Sequence, residues 1–108
     1  MAARLLVDVR SARRYAGIDE PIDPVAGHIP GAVNVPYLEN LGIDGRLLPP
    51  EELAEKYTTL LGGRSPDAMV VYCGSGITAC HTLLALSLAG LDGAKLYVGG
   101  WSEWCRQP

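Results

Sequence analysis

Apolar positions fall into short blocks separated by charged or turn-forming residues. "RLLVDVR" (Arg4 to Arg10) is β-branched, short and closed by charges, which predicts a strand. "AVNV" (Ala32 to Val35) sits between "HIPG" and Pro36 and predicts a second, short strand between turns. "PPEELAEKY", from Pro49, opens with proline and acids, as a helix N-terminus does. That helix should reach Leu61 and stop at Gly62-Gly63. "AMVVYC" (Ala68 to Cys73) is continuously apolar, the pattern of a strand covered on both faces. Ile77 to Ala89 is apolar nearly all round, predicting a helix packed deep against the sheet and ended by Gly90. "KLYVG" (Lys95 to Gly99) reads as the last strand, and "WSEW" (Trp101 to Trp104) as a closing turn or helix. Strands alternating with helices predict an α/β fold, a central parallel sheet with helices on both faces. No internal repeat or low-complexity segment interrupts it.

In open α/β sheets ligands bind beyond the carboxyl ends of the strands. Cys73 ends the most apolar strand and is followed by "GSGIT" (Gly74 to Thr78) and a helix. Gly74 and Gly76 remove two Cβ atoms, so successive N–H groups can turn inward around the sulfur. The positive end of the next helix adds to this, and both effects favour a thiolate. A small apolar residue at a strand end is the plain alternative, and the glycine-flanked loop favours a nucleophile or sulfur carrier over it. Cys80, about two turns along the helix, reads as buried packing; Cys105 carries no signal; His81 reads as structural. Ser75 is a loop hydroxyl or a substrate contact, and composition does not decide between them. Arg10, Arg13 and Arg14 follow the first strand's carboxyl end. A solvated charge cluster is their default reading, but the position lets one of them reach the same crevice. Trp101 and Trp104 read as core or rim aromatics.

At 108 residues the chain supports one domain with one core, residues 1–108. Apolar residues are 48% and charged ones 19%, with mean hydropathy +0.14, the balance of a folded domain. A net charge of −3 and a pI near 5.2 provide no basic footprint for nucleic acid. Thr82, Ser87 and Gly90 break the longest apolar run short of a membrane span. Asp8 and Arg10 cut off any signal-like stretch, so a cytoplasmic location is expected. The three cysteines lack framework spacing, and neither C-x-x-C nor H-x-x-x-H occurs. No disulfide scaffold, metal site or cofactor is therefore expected.

"LLVDVRSARRYAG", "GHIPGAVNVP", "VVYCGSGITA" and "LYVGGWSEW" occur in the order found in rhodanese-like domains, which the chain resembles over most of its length. "CGSGIT" is similar to the loop of 3-mercaptopyruvate sulfurtransferases, whereas thiosulfate-type enzymes carry basic residues after the cysteine. The resemblance implies that Cys73 becomes a persulfide, cradled by the N–H groups of Gly74, Ser75, Gly76, Ile77 and Thr78. Ser75 then matches a substrate-contacting serine, and Arg14, before Tyr15, an arginine that binds the anionic donor. Asp8 and His28 match positions that hold the loops. The implied function is transfer of sulfane sulfur from 3-mercaptopyruvate or thiosulfate to a thiophilic acceptor, cyanide or a thiol. A non-catalytic persulfide carrier or partner-binding module is the rival reading.

Two departures stand out. Where the family often has a second arginine after "EP", Glu20-Pro21 is followed by Ile22 and Asp23. The chain also resembles the C-terminal catalytic half of a two-domain sulfurtransferase, which makes an absent N-terminal rhodanese domain an expected partner. The resemblance leads to the expectation of a helix before the first strand, which the four residues ahead of Leu5 in this sequence do not supply. Related phosphatases use C-x5-R, but the sixth position after Cys73 is Ala79, so phosphatase chemistry ranks low.

Overall fold

A computed structural model describes residues 4–74 and 77–106, with the backbone alone for Ile77. Its sheet is built from β1 (Leu5–Asp8), β2 (Val33–Asn34), β3 (Met69–Tyr72) and β4 (Lys95–Leu96). All pairings are parallel, in the order β2-β1-β3-β4. The register Val7↔Val71 puts the two central strands side by side along their whole length. β2 and β4 are shorter than the apolar runs that predict them. Val35 N and Tyr97 N still donate to Asp8 O and Val71 O, after which Pro36 and the turn at 98–99 lead the chain off the sheet.

One face of the sheet is covered by α2 (Pro50–Leu61) and α3 (Ile77–Leu88). Leu53, Tyr57 and Leu61 lie at successive i, i+4 positions of α2. They meet Val7, Val9, Met69 and Val71 from the sheet and Ala79, Ala85 and Leu86 from α3. Burying each large side chain contributes about 1.5–3 kcal/mol. Gly62 ends α2 with φ 59°, the left-handed conformation that glycine adopts without a Cβ penalty. A polar network is buried beside it. Tyr57 Oη donates to Asn40 Oδ1 at 2.5 Å and Lys56 Nζ to the same oxygen at 3.2 Å. Burial is the main force pushing the Tyr57 hydroxyl up to about 12.

The second face is covered differently. Leu6 and Tyr72 point to it by strand alternation and pack with Ile29, Ala32, Tyr15 and Trp101. The cover comes from two short helices, α1 (Ala12–Tyr15) and α4 (Gly100–Trp104), and the loop around Ile29. Ser11 caps α1, its Oγ accepting from Arg14 N at 3.4 Å. His28 stacks on Tyr15 with centroids 3.8 Å apart, and its Nδ1 lies 2.8 Å from Tyr15 O. Tyr15 Oη donates to Ala32 O, so ring and loop hold each other. Among the described residues no helix is long and apolar enough to cross a membrane.

Candidate active site

From β1 the chain moves outward to β2 on one side, and from β3 to β4 on the other. The carboxyl ends of β1 and β3 therefore flank the switch point where open α/β sheets form a crevice. A cavity of about 400 Å³ opens there, within the size range of small-molecule sites. Arg10, Ser11 and Arg14 line it from the β1 side and Cys73, Gly74 and Thr78 from the β3 side. Ile22, Asp23, Tyr37, Leu38 and Ser102 close the rest. Cys73 itself is 2% exposed.

The three N-terminal arginines have three different fates. Arg10 is buried and locked: its Nη2 and Nε donate to the Asp8 carboxylate, Nη2 at 2.7 Å, and Nη2 also reaches Gly27 O at 2.6 Å. Burial opposes its charge, but the hydrogen bonds and charge of Asp8 outweigh that and raise its pKa. Arg13 is exposed. Arg14 lies across the crevice from the β3 loop, and a Cβ on Gly74 would stand 3.4 Å from its Nη2. Its Nη2 donates to Glu20 Oε2 at 3.1 Å and lies 3.6 Å from Asp23 Oδ2. Arg14 Nε is buried with no hydrogen-bond partner.

Glu20 organises this side of the site. Its Oε2 accepts from Ile22 N and Asp23 N, each at 3.1 Å, and its Oε1 from Arg10 Nη1 at 3.3 Å. Burial alone would raise the Glu20 pKa; the backbone hydrogen bonds and the Arg14 charge overcome this and hold it below the usual value. The ion pairs of the crevice thus join three arginines (Arg10, Arg14, Arg106) to three carboxylates (Asp8, Glu20, Asp23).

The β3 loop is held from behind. Trp101 N donates to Cys73 O at 2.8 Å and Ser102 N to Gly74 O at 2.9 Å. Gly100, with φ 59°, makes the approach possible, because a Cβ there would overlap the Cys73 carbonyl oxygen and lie 2.8 Å from Gly74 O. Trp101 is anchored in turn by Nε1 donating to Val25 O at 2.8 Å, and Arg10 lies over its ring at 5.4 Å.

Of the residues singled out in the sequence, Cys73, Gly74, Thr78 and Arg14 come together around one cavity. Ser75, Gly76 and the side chain of Ile77 lie outside the described residues. Cys80, expected as buried packing, is exposed. The core face of α3 carries Ala79, Thr82, Ala85 and Leu86, which leaves Cys80, Leu84 and Leu88 on the outer face. Trp101 is a core residue, whereas Trp104 is 41% exposed. The sequence reading missed the part played by Glu20, Asp23, Tyr37, Leu38, Gly100 and Ser102. The one local signal was the paired glycine of "GGW", whose second, left-handed member opens a short helix.

The fold and crevice define an open parallel α/β domain with a cysteine at its switch point. The chain belongs to the rhodanese-like domain family, whose model matches residues 1–107. It is 57% identical over 103 residues to the Pseudomonas aeruginosa protein named "Probable 3-mercaptopyruvate sulfurtransferase", covering 95% of this chain and 36% of that one. The 3-mercaptopyruvate sulfurtransferase of Rattus norvegicus is 41% identical, covering 92% of this chain and 34% of its own length. The rat thiosulfate sulfurtransferase is 40% identical, covering 94% and 35%. Among solved structures, the 3-mercaptopyruvate sulfurtransferase from Leishmania major superimposes with a TM-score of 0.74 at 35% identity, over 94% of this chain and 29% of that one. The chain spans about a third of the length of the curated relatives it matches.

Proposed function

We propose that the chain is the sulfur-transferring unit of a 3-mercaptopyruvate or thiosulfate sulfurtransferase, with Cys73 as the residue that carries the sulfur. The observation behind this reading is the placement of Cys73 and Arg14 on one small crevice at the sheet's switch point. Arg14 brings a guanidinium on a side chain that is 20% exposed to the wall of that crevice, suited to an anionic donor. In the proposed step the Cys73 thiolate attacks the donor's transferable sulfur, the thiol sulfur of 3-mercaptopyruvate or the outer sulfur of thiosulfate. A new S–S bond forms as the donor's C–S or S–S bond breaks. The electron pair leaves with the pyruvate enolate, which then takes a proton, or with sulfite. Cyanide or a thiolate next takes the outer sulfur and returns Cys73 as thiolate. Gly74, Ser75, Gly76, Ile77 and Thr78 are the proposed N–H cradle for the persulfide, and Ser75 the proposed substrate contact.

The unit is read as one domain over residues 1–108, resembling the C-terminal catalytic half of a two-domain sulfurtransferase, and as cytoplasmic. An N-terminal rhodanese domain is its proposed protein partner. Purified protein incubated with each donor should gain one sulfur atom on the Cys73 peptide and, with cyanide added, release thiocyanate over many turnovers. Cys73→Ser should do neither. Sulfur loaded once on Cys73 without turnover would instead identify a carrier module.

A further inference from the structure

The sulfur-transfer reading leaves Asp23 without a role, although it lines the same crevice. Its side chain is 1% exposed. Oδ1 lies 3.4 Å from Arg106 Nη1. Oδ2 is buried without a hydrogen-bond partner, 3.6 Å from Arg14 Nη2. Buried carboxylate oxygens are normally fully hydrogen-bonded; this one has the Arg14 ion pair but no hydrogen bond, so its charge is incompletely compensated at the wall of the crevice that Asp23 lines. It also places a fixed negative charge beside the cation that meets the donor. A donor with one carboxylate can set that group on Arg14 and turn its uncharged end toward Asp23. A compact dianion has no uncharged end, and its second charge lies in the field of Asp23, the carboxylate among the residues that line the crevice.

We propose that Asp23 is a specificity-determining residue: its buried carboxylate, set beside Arg14, selects singly charged sulfur donors over dianionic ones. This rests on the sulfurtransferase reading for its substrates, but the charge selection itself can be measured without turnover. The experiment compares wild type, Asp23→Asn and Arg106→Gln. One readout is kcat/KM for 3-mercaptopyruvate and thiosulfate; the other is calorimetric binding of pyruvate and sulfate, an inert monoanion and an inert dianion.

Asp23→Asn should raise thiosulfate use relative to 3-mercaptopyruvate about tenfold, and sulfate binding relative to pyruvate by a similar factor. That is the size expected for one unit charge roughly 5 Å away at an intermediate dielectric constant. Arg106→Gln, which strips Asp23 of a countercharge outside the crevice lining, should move both ratios the opposite way. A ratio unmoved by Asp23→Asn, or moved in the same direction by both variants, would overturn the proposal. Wild type that uses neither donor would defeat the sulfurtransferase reading alone, and the sulfate-to-pyruvate ratio would still decide the role of Asp23.

Discussion

Gly100→Ala tests whether the short helix behind Cys73 is part of the site. Gly100 sits at φ 59°, and a Cβ there would overlap the Cys73 carbonyl oxygen. Holding alanine in the left-handed region costs about 1–2 kcal/mol. The overlap also separates α4 from the loop, removing the hydrogen bonds from Trp101 N to Cys73 O and Ser102 N to Gly74 O. Each is worth about 0.5–1.5 kcal/mol, so the total loss is about 2–5 kcal/mol. For a domain of this size that lowers Tm by about 10 °C or more. Gly45→Ala is the control: Gly45 has φ 78° and nothing within 4 Å of its would-be Cβ, so it carries the backbone strain without the collision. Thermal melts of both variants, with sulfur loading of Cys73 measured below the transition, separate strain from lost positioning. Gly100→Ala should melt lower than Gly45→Ala and load Cys73 more slowly. Equal melts and equal loading would show that α4 does not position the loop.

Arg14→Ala should lower donor kcat/KM by roughly ten- to a hundredfold, the worth of a charge-assisted contact, while Arg13→Ala leaves it nearly unchanged; steady-state kinetics of the two decide. Arg10→Ala leaves the Asp8 carboxylate buried without its main partner and should cost about 3–5 kcal/mol in urea unfolding, whereas a cost under about 1 kcal/mol would mean that the pair is not truly buried. Glu20 is held below its ordinary pKa in the folded state, so its stabilisation is fully present above the unfolded value of about 4.3 and is lost as pH falls through the lower folded value. Melts in acid should therefore show a steeper decline for wild type than for Glu20→Gln; parallel curves would remove Glu20 from the acid response.

The regular parts of the fold were legible because they carry periodic signals. Met69–Tyr72 is an unbroken apolar run, and Pro50 to Leu61 has a proline start, an i, i+4 apolar face and a glycine stop. Cys73 was legible from position, as the residue following the central strand. Its surroundings were less so. Glu20 and Asp23 lie in an irregular loop, where nothing in the local pattern says which side chains turn inward. Their partners Arg10, Arg14 and Arg106 come from two distant parts of the chain. Cys80 was misjudged because an almost wholly apolar helix does not declare its buried face. Packing against α2 and the sheet selected Ala79, Thr82 and Leu86 and left Leu84 half exposed. The second face of the sheet is covered by pieces too short to have a period of their own.

The brevity of β2 and β4 has a consequence for how the protein behaves in concentrated solution. An open sheet has two borders, and each presents unpaired amide and carbonyl groups to any passing strand. Here both borders are two residues long. Asn34 spends its side-chain amide on Asp8 O and Arg10 O, and Pro36 cannot donate if the β2 border is extended. On the other side, exposed Lys95 sets a charge on the β4 border. The longer, apolar strands are the two central ones; they pair with each other along all four residues, and the outer strands cover Val7 and Asp8 of β1 and Val70 and Val71 of β3. Resistance to edge-to-edge association is thus built into the strand lengths, and a substitution that lengthened β4 would weaken it without touching the core.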